Sequence, residues 1–198
     1  MIRRTLTRKS DLAVSNWSGG STTQLFLYPG GASYAARDFQ VRVSSATVDQ
    51  TPSAFTSLPG YHRVLMPLSA PLKLAFENHG AADLRPFESV EFNGGWNTTS
   101  HGICTDIGIM LTAPWRGSLT AVSGGVYECP AGFTGIYALA DEVTAAAAGE
   151  EYTLMRGDFL MWEVDTAETE KLALATQGEN AAILVRIFQI KNSNTPPK

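Results

Sequence analysis

The sequence predicts an all-β protein built from two cupin-like jelly-roll halves in one chain, the arrangement called a bicupin. Short apolar segments recur at spacings of roughly 8–12 residues between Gly, Pro and Asn turns, which is typical of antiparallel sandwiches and barrels. The chain has 198 residues, enough for one domain or for one domain of two similar halves. Several apolar positions also repeat along the chain at a constant offset.

The clearest predicted strand begins at Phe39. Phe39, Val41 and Val43 alternate with polar neighbours and should form the buried face of that strand. The other predicted strands are 24–28, 63–68, 72–77, 84–92, 103–111, 117–123, 135–139, 151–155, 158–163, 171–175 and 182–190. The alanine run 143–149 predicts a turn or two of helix, because alanine is the best helix former.

We expect one bicupin domain over residues 1–190, with approximate halves 1–125 and 126–190, and a flexible tail over 191–198. Three apolar residues repeat at an offset of 70: Leu84, Val90 and Phe92 match Leu154, Leu160 and Trp162. The segment 72–76 would match 135–139 if seven residues near 143–149 were an insertion.

Composition argues against two classes of partner. The net charge of −4 disfavours nucleic acid, because binding phosphates requires a basic face. No apolar run reaches the roughly 20 residues of a membrane helix, and no apolar core follows the basic N-terminus as in a secretory signal. Cys104 and Cys129 lack a CxxC spacing, so we expect a cytoplasmic protein with reduced thiols, although the sequence also permits a disulfide between them.

The sequence holds no motif for metal binding or nucleophilic catalysis. His62, His79 and His101 lack the HxH spacing of a metal-binding cupin, so we expect no metal and no cofactor. GxSxG, Walker and GxGxxG motifs are absent. Cys104 follows His101 by three residues, and residues three apart in a strand point to opposite faces, so the two should not form a thiol–imidazole pair.

Arginine, hydroxyl and aromatic side chains instead predict a site for a small anion. Arg42 and Arg63 could hold a carboxylate with paired hydrogen bonds, although Arg42 could also lie in water on an ordinary half-buried strand. Asp106 lies in an apolar run and, if buried, would pair with one of these arginines, either within the site or for structure alone. The predicted ligand-binding residues are Trp17, Thr22, Arg42, Ser44, Phe55, His62, Arg63 and Asp106.

Five segments in order carry a resemblance to a known family: WSGGSTTQL (17–25), FQVRVSSATV (39–48), FTSLPGYHR (55–63), PF (86–87) with FNGGWNTTS (92–100), and TDIGIM (105–110). Together they resemble the HutD/Ves family of bacterial proteins. The resemblance implies a metal-free bicupin that binds a small carboxylate, such as formate or an intermediate of histidine breakdown. It also implies a modulator of histidine utilisation or stress metabolism. Trp17, Thr22, Arg42, Ser44, Arg63 and Asp106 match characteristic positions of the family.

Two positions depart from the family pattern. Gly95 stands where the family usually has Asp, and Gly108 stands where it usually has Asn, so two polar side chains are lost. Three interpretations therefore stay open. The protein could be a carboxylate-binding modulator, a metal-independent isomerase or hydrolase of a small sugar or acyl substrate with Asp106 or His62 as general base, or a structural protein with a vestigial pocket. Long closing strands would also allow a homodimer.

Overall fold

The computed structural model describes residues 2–165 and 170–190, and this part of the chain is nearly all strand. It contains nineteen β-strands, one 3-10 turn at Lys9–Asp11 and no α-helix. The predicted all-β class is therefore confirmed. The predicted flexible tail, 191–198, lies outside the described residues. Within them, no helix has the length and apolarity that crossing a membrane requires.

The strands divide into an earlier and a later group. The earlier group is β1 (Ile2–Thr7), β2 (Val14–Trp17), β3 (Gly20–Tyr28), β4 (Val41–Val48), β5 (Ser53–Ala54), β6 (Tyr61–Pro67), β7 (Leu72–Phe76), β8 (Gly80–Leu84), β9 (Val90–Asn93), β10 (Thr98–His101) and β11 (Cys104–Thr112). The later group is β12 (Trp115–Val122), β13 (Gly125–Cys129), β14 (Gly132–Ala138), β15 (Val143–Ala147), β16 (Glu150–Leu154), β17 (Phe159–Val164), β18 (Glu170–Ala175) and β19 (Ala182–Gln189).

The same strand order occurs twice. One half has a large sheet, β2-β3-β4-β11-β6-β9, and a small sheet, β5-β10-β7-β8; the other has a large sheet, β1-β17-β14-β19-β12, and a small sheet, β13-β18-β15-β16. The order β4-β11-β6-β9 thus corresponds to β12-β19-β14-β17, and the two small sheets correspond strand by strand. We call these the first and second halves. The change of half falls between β11 and β12, earlier than the predicted boundary at residue 125, and β1 joins the second half.

Three details of the sequence prediction are wrong. The alanine run forms strand β15, not a helix, because Val143, Ala145 and Ala147 bury one face of a strand in the core, and this burial outweighs alanine's local preference for helix. Strand β7 corresponds to β15, not to 135–139, since β7 pairs with β8 as β15 pairs with β16. No insertion is therefore needed. The predicted single strand 84–92 is two strands, β8 and β9.

The two large sheets pack face to face and form the central core. This core joins buried residues of β4 and β11 to buried residues of β14, β17 and β19: Val41, Val43, Ile107, Ile109, Phe133, Phe159, Ile183 and Val185. A separate cluster fills the inside of the second half with large apolar side chains: Ile136, Leu154, Leu160, Trp162, Leu172 and Leu184. A smaller cluster lies inside the first half and consists of Leu65, Leu72, Leu74, Phe76, Leu84, Phe92 and Cys104; the candidate site lies beside it.

The N-terminal segment ties the two halves together. Strand β1 adds to the edge of the second half beside β17, and the chain then runs into β2 and β3 of the first half. Asp158, which is 3% exposed, holds the segment between β1 and β2, where the chain passes from the second half to the first. Its carboxylate accepts hydrogen bonds from Arg8 Nη1 at 2.7 Å, Lys9 N at 2.9 Å and Met155 N at 3.0 Å. Burial opposes ionisation, but these hydrogen bonds outweigh it and lower the pKa of Asp158.

We expect Asp158→Asn to lower the free energy of unfolding by about 2 kcal/mol at pH 7, because it removes the charge from a buried, hydrogen-bonded carboxylate. The loss should shrink as the pH falls through the lowered pKa of Asp158, where the wild-type carboxylate is itself protonated. Urea unfolding measures both effects. The control is Asp11→Asn, an exposed position in the same segment, which should change stability by less than about 0.5 kcal/mol. Equal effects of the two substitutions would contradict the assignment.

Candidate functional site

A cavity of about 520 Å³ lies inside the first half, walled by β2, β3, β4, β6 and β11 and by residues 54–56. Seven of the eight predicted site residues line it: Trp17, Thr22, Arg42, Ser44, Phe55, Arg63 and Asp106. Strand alternation brings them together. Residues of β4, β6 and β11 that do not enter the central core point to the opposite face of the sheet, which is the cavity wall.

The strand register places the polar residues in rows across the wall. Met110 of β11 pairs directly with Arg42 of β4 on one side and with Arg63 of β6 on the other. Two residues along β11, Gly108 pairs with Ser44. Asp106 lies two residues further along the same strand. The cavity therefore has two arginines at one level and a carboxyl group at another.

Arg42 is 7% exposed and only partly hydrogen-bonded. Its Nη1 donates to Ser44 Oγ at 3.2 Å and lies 3.8 Å from Met110 Sδ. The guanidinium carbon lies 4.4 Å from the centre of the Tyr34 ring, a cation–π distance. Its buried Nε has no hydrogen-bond partner in the described part of the chain. Burial lowers the pKa of Arg42 from its usual value.

Arg63 is in a similar environment, at 6% exposure. Its Nη2 donates to the backbone carbonyl of Thr56, and its guanidinium carbon lies 5.5 Å from the centre of the Phe55 ring. Its Nε is also buried without a partner among the described residues. Burial, and then the nearby charge of Arg42, lower the pKa of Arg63 to about 10, so it is still cationic at neutral pH.

The predicted ion pair between Asp106 and an arginine is wrong. Within the described residues the Asp106 carboxyl group makes no ion pair and no hydrogen bond, although the residue is only 5% exposed. The register explains this, because Asp106 lies four residues along β11 from Met110, the residue that pairs with both arginines. Burial raises the pKa of Asp106 to about 7. The cavity therefore carries a net positive charge at neutral pH.

Trp17 forms part of the cavity mouth. It is 38% exposed, and its Nε1 donates to Thr22 Oγ1 at 3.1 Å. The ring packs on Gly19, where a Cβ atom would lie 2.2 Å from a Trp17 ring carbon. A residue without a side chain is therefore needed at position 19 to leave room for the indole.

His62 does not reach the cavity, so the structure does not support its predicted place in the site. It precedes Arg63 on β6 and points to the opposite face of that strand. Its side chain is 37% exposed, with Nδ1 3.9 Å from Glu91 Oε1. Among the described residues, no three His, Cys, Asp or Glu side chains come together as a metal site would require. Cys104 and Cys129 are both buried and free.

The two glycine departures have different consequences. Gly95 lies outside the cavity lining, and its backbone N–H donates to Asn93 Oδ1 at 2.8 Å. Gly108 lines the cavity, and a Cβ atom there would meet only the Val64 carbonyl oxygen, at an ordinary 3.5 Å. A side chain would fit at position 108, so the glycine leaves open space over β11 between the arginines and Asp106.

The lining residues that sequence reasoning missed include Gln24, Tyr34, Thr56 and Met110. Met110 could have been found, because it shares the alternation of Asp106 and Gly108 along β11. Tyr34 lies between β3 and β4, in a segment without strand periodicity, so no sequence pattern indicates that it stacks on Arg42.

Comparisons with known proteins agree with this architecture. The sequence model of the HutD family matches residues 9–183, most of the chain. The chain belongs to the HutD family. No curated protein sequence matches it significantly. The family of this chain is therefore assigned from the match to the family model, and its fold from the structure.

Solved structures with the same fold include two from Pseudomonas. The conserved protein of unknown function PA5104 from Pseudomonas aeruginosa PAO1 is 18% identical, with 93% of this chain and 98% of that chain covered and a TM-score of 0.80. HutD from Pseudomonas fluorescens SBW25, in a formate condition, is 22% identical, with 96% and 100% covered and a TM-score of 0.76.

A more distant relative in fold is YlbA from E. coli. It is 10% identical, covers 96% of this HutD-family chain and 93% of its own chain, and has a TM-score of 0.68. The fold of the oxalate decarboxylase OxdC from Bacillus subtilis is also similar, with a TM-score of 0.63 at 7% identity and with 93% and 76% covered. Together with the repeated sheet order, these similarities confirm the predicted bicupin fold.

We expect Asp106→Asn to stabilise the protein at pH 8. An unfolded aspartate titrates near about 4, whereas the pKa of Asp106 is raised to about 7 in the fold, so the folded state loses stability as the pH rises between these values. Removing the carboxylate should raise the free energy of unfolding by about 3 kcal/mol at pH 8 and have little effect at pH 4. Urea unfolding at both pH values tests this, with the exposed Asp83→Asn as control. Destabilisation at pH 8 would show that Asp106 has a partner.

Gly19→Ala should displace the Trp17 indole from the cavity mouth. The added methyl group overlaps the ring, and overpacking of this kind costs about 1–3 kcal/mol. We expect a lower free energy of unfolding and a shifted NMR signal for the Trp17 indole N–H. Gly30→Ala is the control, because a Cβ at Gly30 meets no atom within 4 Å. An unmoved indole signal in Gly19→Ala would contradict this packing.

Proposed function

We propose that the protein is a metal-independent binder of a small carboxylate, held in the cavity of the first half by Arg42 and Arg63. In this proposal it modulates histidine utilisation or stress metabolism and does not catalyse a reaction. The observation that carries the proposal is the pair of buried guanidinium groups, each with an Nε that has no partner in the described part of the chain.

The free-energy cost of burying two cations supports an anionic ligand. A buried charge is strongly unfavourable unless it is paired and hydrogen-bonded, yet no described carboxylate pairs with Arg42 or Arg63. A guanidinium has five N–H donors in a plane, which matches the two oxygens of a carboxylate. A bound carboxylate would therefore supply the missing charge and the missing acceptors together.

The wall around the arginines suits a small ligand with some apolar surface. Ser44 and Thr22 bring hydroxyl groups to the cavity, while Phe55 and Trp17 border it with aromatic rings. Charge-assisted hydrogen bonds are stronger where water is excluded, as it would be beneath these rings.

Family membership supports the proposed biological role. The chain belongs to the HutD family, and the structurally similar HutD from Pseudomonas fluorescens SBW25 was obtained in a formate condition. The cytoplasmic location, the homodimer and the absence of a metal or cofactor stay predictions from the sequence.

One observation favours the enzyme alternative. Asp106 faces the cavity with a pKa raised to about 7, as a general base working near neutral pH would have. A metal-independent isomerase or hydrolase would use Asp106 in this role, whereas His62 points away from the cavity. Turnover of a small sugar or acyl compound whose rate follows an ionisation near pH 7, and its loss in Asp106→Asn, would support this alternative.

The vestigial-pocket interpretation is supported less well. The inside of the second half is filled by residues such as Trp162 and Leu154, as a pocket without function would be. The first half instead keeps a cavity of about 520 Å³ with two buried arginines in its wall.

We expect Arg63→Ala to weaken binding of small carboxylates, beginning with formate, by about 30-fold or more. Losing one buried charge-assisted contact costs about 2–5 kcal/mol of binding free energy. Calorimetric titration with and without EDTA measures the affinity, and the chelator should have no effect.

The control is Arg116→Ala, a half-buried arginine of β12 that donates to the Trp115 carbonyl and should leave affinity unchanged. Thermal melts of all three proteins separate loss of binding from unfolding. Unchanged affinity in a folded Arg63→Ala variant would remove Arg63 from the site, and the absence of any carboxylate binding by the wild type would contradict the proposed function.

A further inference from the structure

Asp106 is a buried carboxyl group that the arginine site leaves without a partner. It lines the same cavity as Arg42 and Arg63, and within the described residues its carboxyl group accepts no hydrogen bond. Its backbone carbonyl is satisfied, because Ser45 Oγ donates to it at 2.8 Å. The unpaired group is therefore the carboxyl group alone, and it borders the cavity, where a ligand or water can reach it.

The second half shows that the fold does not require a carboxyl group at this position. Strands β4 and β11 end on the pair Val48–Cys104, and the corresponding strands β12 and β19 end on Val122–Ala182. Asp106 lies two residues beyond Cys104 on β11, and Leu184 lies two residues beyond Ala182 on β19, so the two residues occupy corresponding positions. Leu184 packs in the apolar core of its half, so a leucine satisfies this position structurally.

The spacing between Asp106 and the arginines defines the length of a ligand that could touch both. Arg42 Nη1 lies beside Ser44, which pairs with Gly108, so the guanidinium is two residues along the strands from Asp106. At about 3.4 Å per residue this separation is about 7 Å. Gly108 lies between the two groups and presents no side chain. Two hydrogen bonds of about 2.9 Å, one at each end, take up most of this distance, so the carboxylate and the nitrogen of the ligand must lie only a few ångström apart, with one or two carbons between them.

We propose that the ligand is a short bipolar molecule, with its carboxylate on Arg42 and Arg63 and a basic nitrogen on the carboxyl group of Asp106. This inference rests on the proposed carboxylate site and adds a second contact to it. The nitrogen donates a hydrogen bond to Asp106, and its positive charge balances the carboxylate once Asp106 is ionised. Burying the Asp106 carboxylate without a partner is energetically unfavourable. A ligand with a basic nitrogen supplies that partner, whereas a simple carboxylate does not.

The test compares amino acids with carboxylates of the same size at pH 8. Calorimetry measures the binding of glycine and 3-aminopropionate against propionate and butyrate, in which a methyl group replaces the ammonium. We expect at least one amino acid to bind tenfold or more tightly than its matched carboxylate, the effect of one charge-assisted hydrogen bond.

Two variants show whether Asp106 is responsible. In Asp106→Asn the preference for an amino acid over its matched carboxylate, both measured on the same variant, should fall to about threefold or less. Asp106→Leu copies the residue of the second half and should behave in the same way, which guards against a variant that fails to fold. Arg63→Ala should lose affinity for both series.

The outcomes distinguish this inference from the function on which it rests. Binding of the simple carboxylates without preference for any amino acid would overturn the bipolar ligand and leave the arginine site standing. A preference that persists in both Asp106 variants would also overturn it. No binding of either series to the wild type would overturn both the inference and the proposed function.

Discussion

The face-to-face packing of the two large sheets decides where the side chains of their strands point. Val41, Val43, Ile107 and Ile109 enter the shared core between the sheets. Because side chains alternate along a strand, the residues between them must point into the first half. This alternation holds Arg42, Ser44 and Asp106 in the cavity wall.

The two halves share a strand order but have different interiors. The second half closes on a dry apolar cluster around Trp162, and this cluster supplies stability. The first half has a smaller apolar cluster around Leu74 and Phe92, and beside it two arginines and an unpaired carboxyl group line a cavity. Natural proteins often retain groups that destabilise the fold at functional sites, and this asymmetry between two otherwise matching halves supports the proposed site in the first half.

The sequence predicted the fold class and seven of the residues that line the cavity, and much of this success depends on alternation, which is a local property. The strand beginning near Phe39 placed Arg42 and Ser44 on one face, and alternation alone would also have excluded His62, which neighbours Arg63. The strand at 143–147 was missed because alanine's local preference favours helix. That Asp106 pairs with neither arginine could not be predicted, because pairing depends on register between strands. Tyr34 lies between β3 and β4 in a segment without strand periodicity, so its place in the cavity could not be predicted.

The central claim is that Arg42 and Arg63 together hold an anion inside the first half. A high-resolution crystal structure of the protein grown with formate tests it most directly. The account predicts a planar carboxylate within hydrogen-bond distance of both guanidinium groups, with the Nε atoms of one or both arginines as donors. Arginines turned towards solvent, or formate bound only at the exposed surface, would contradict it.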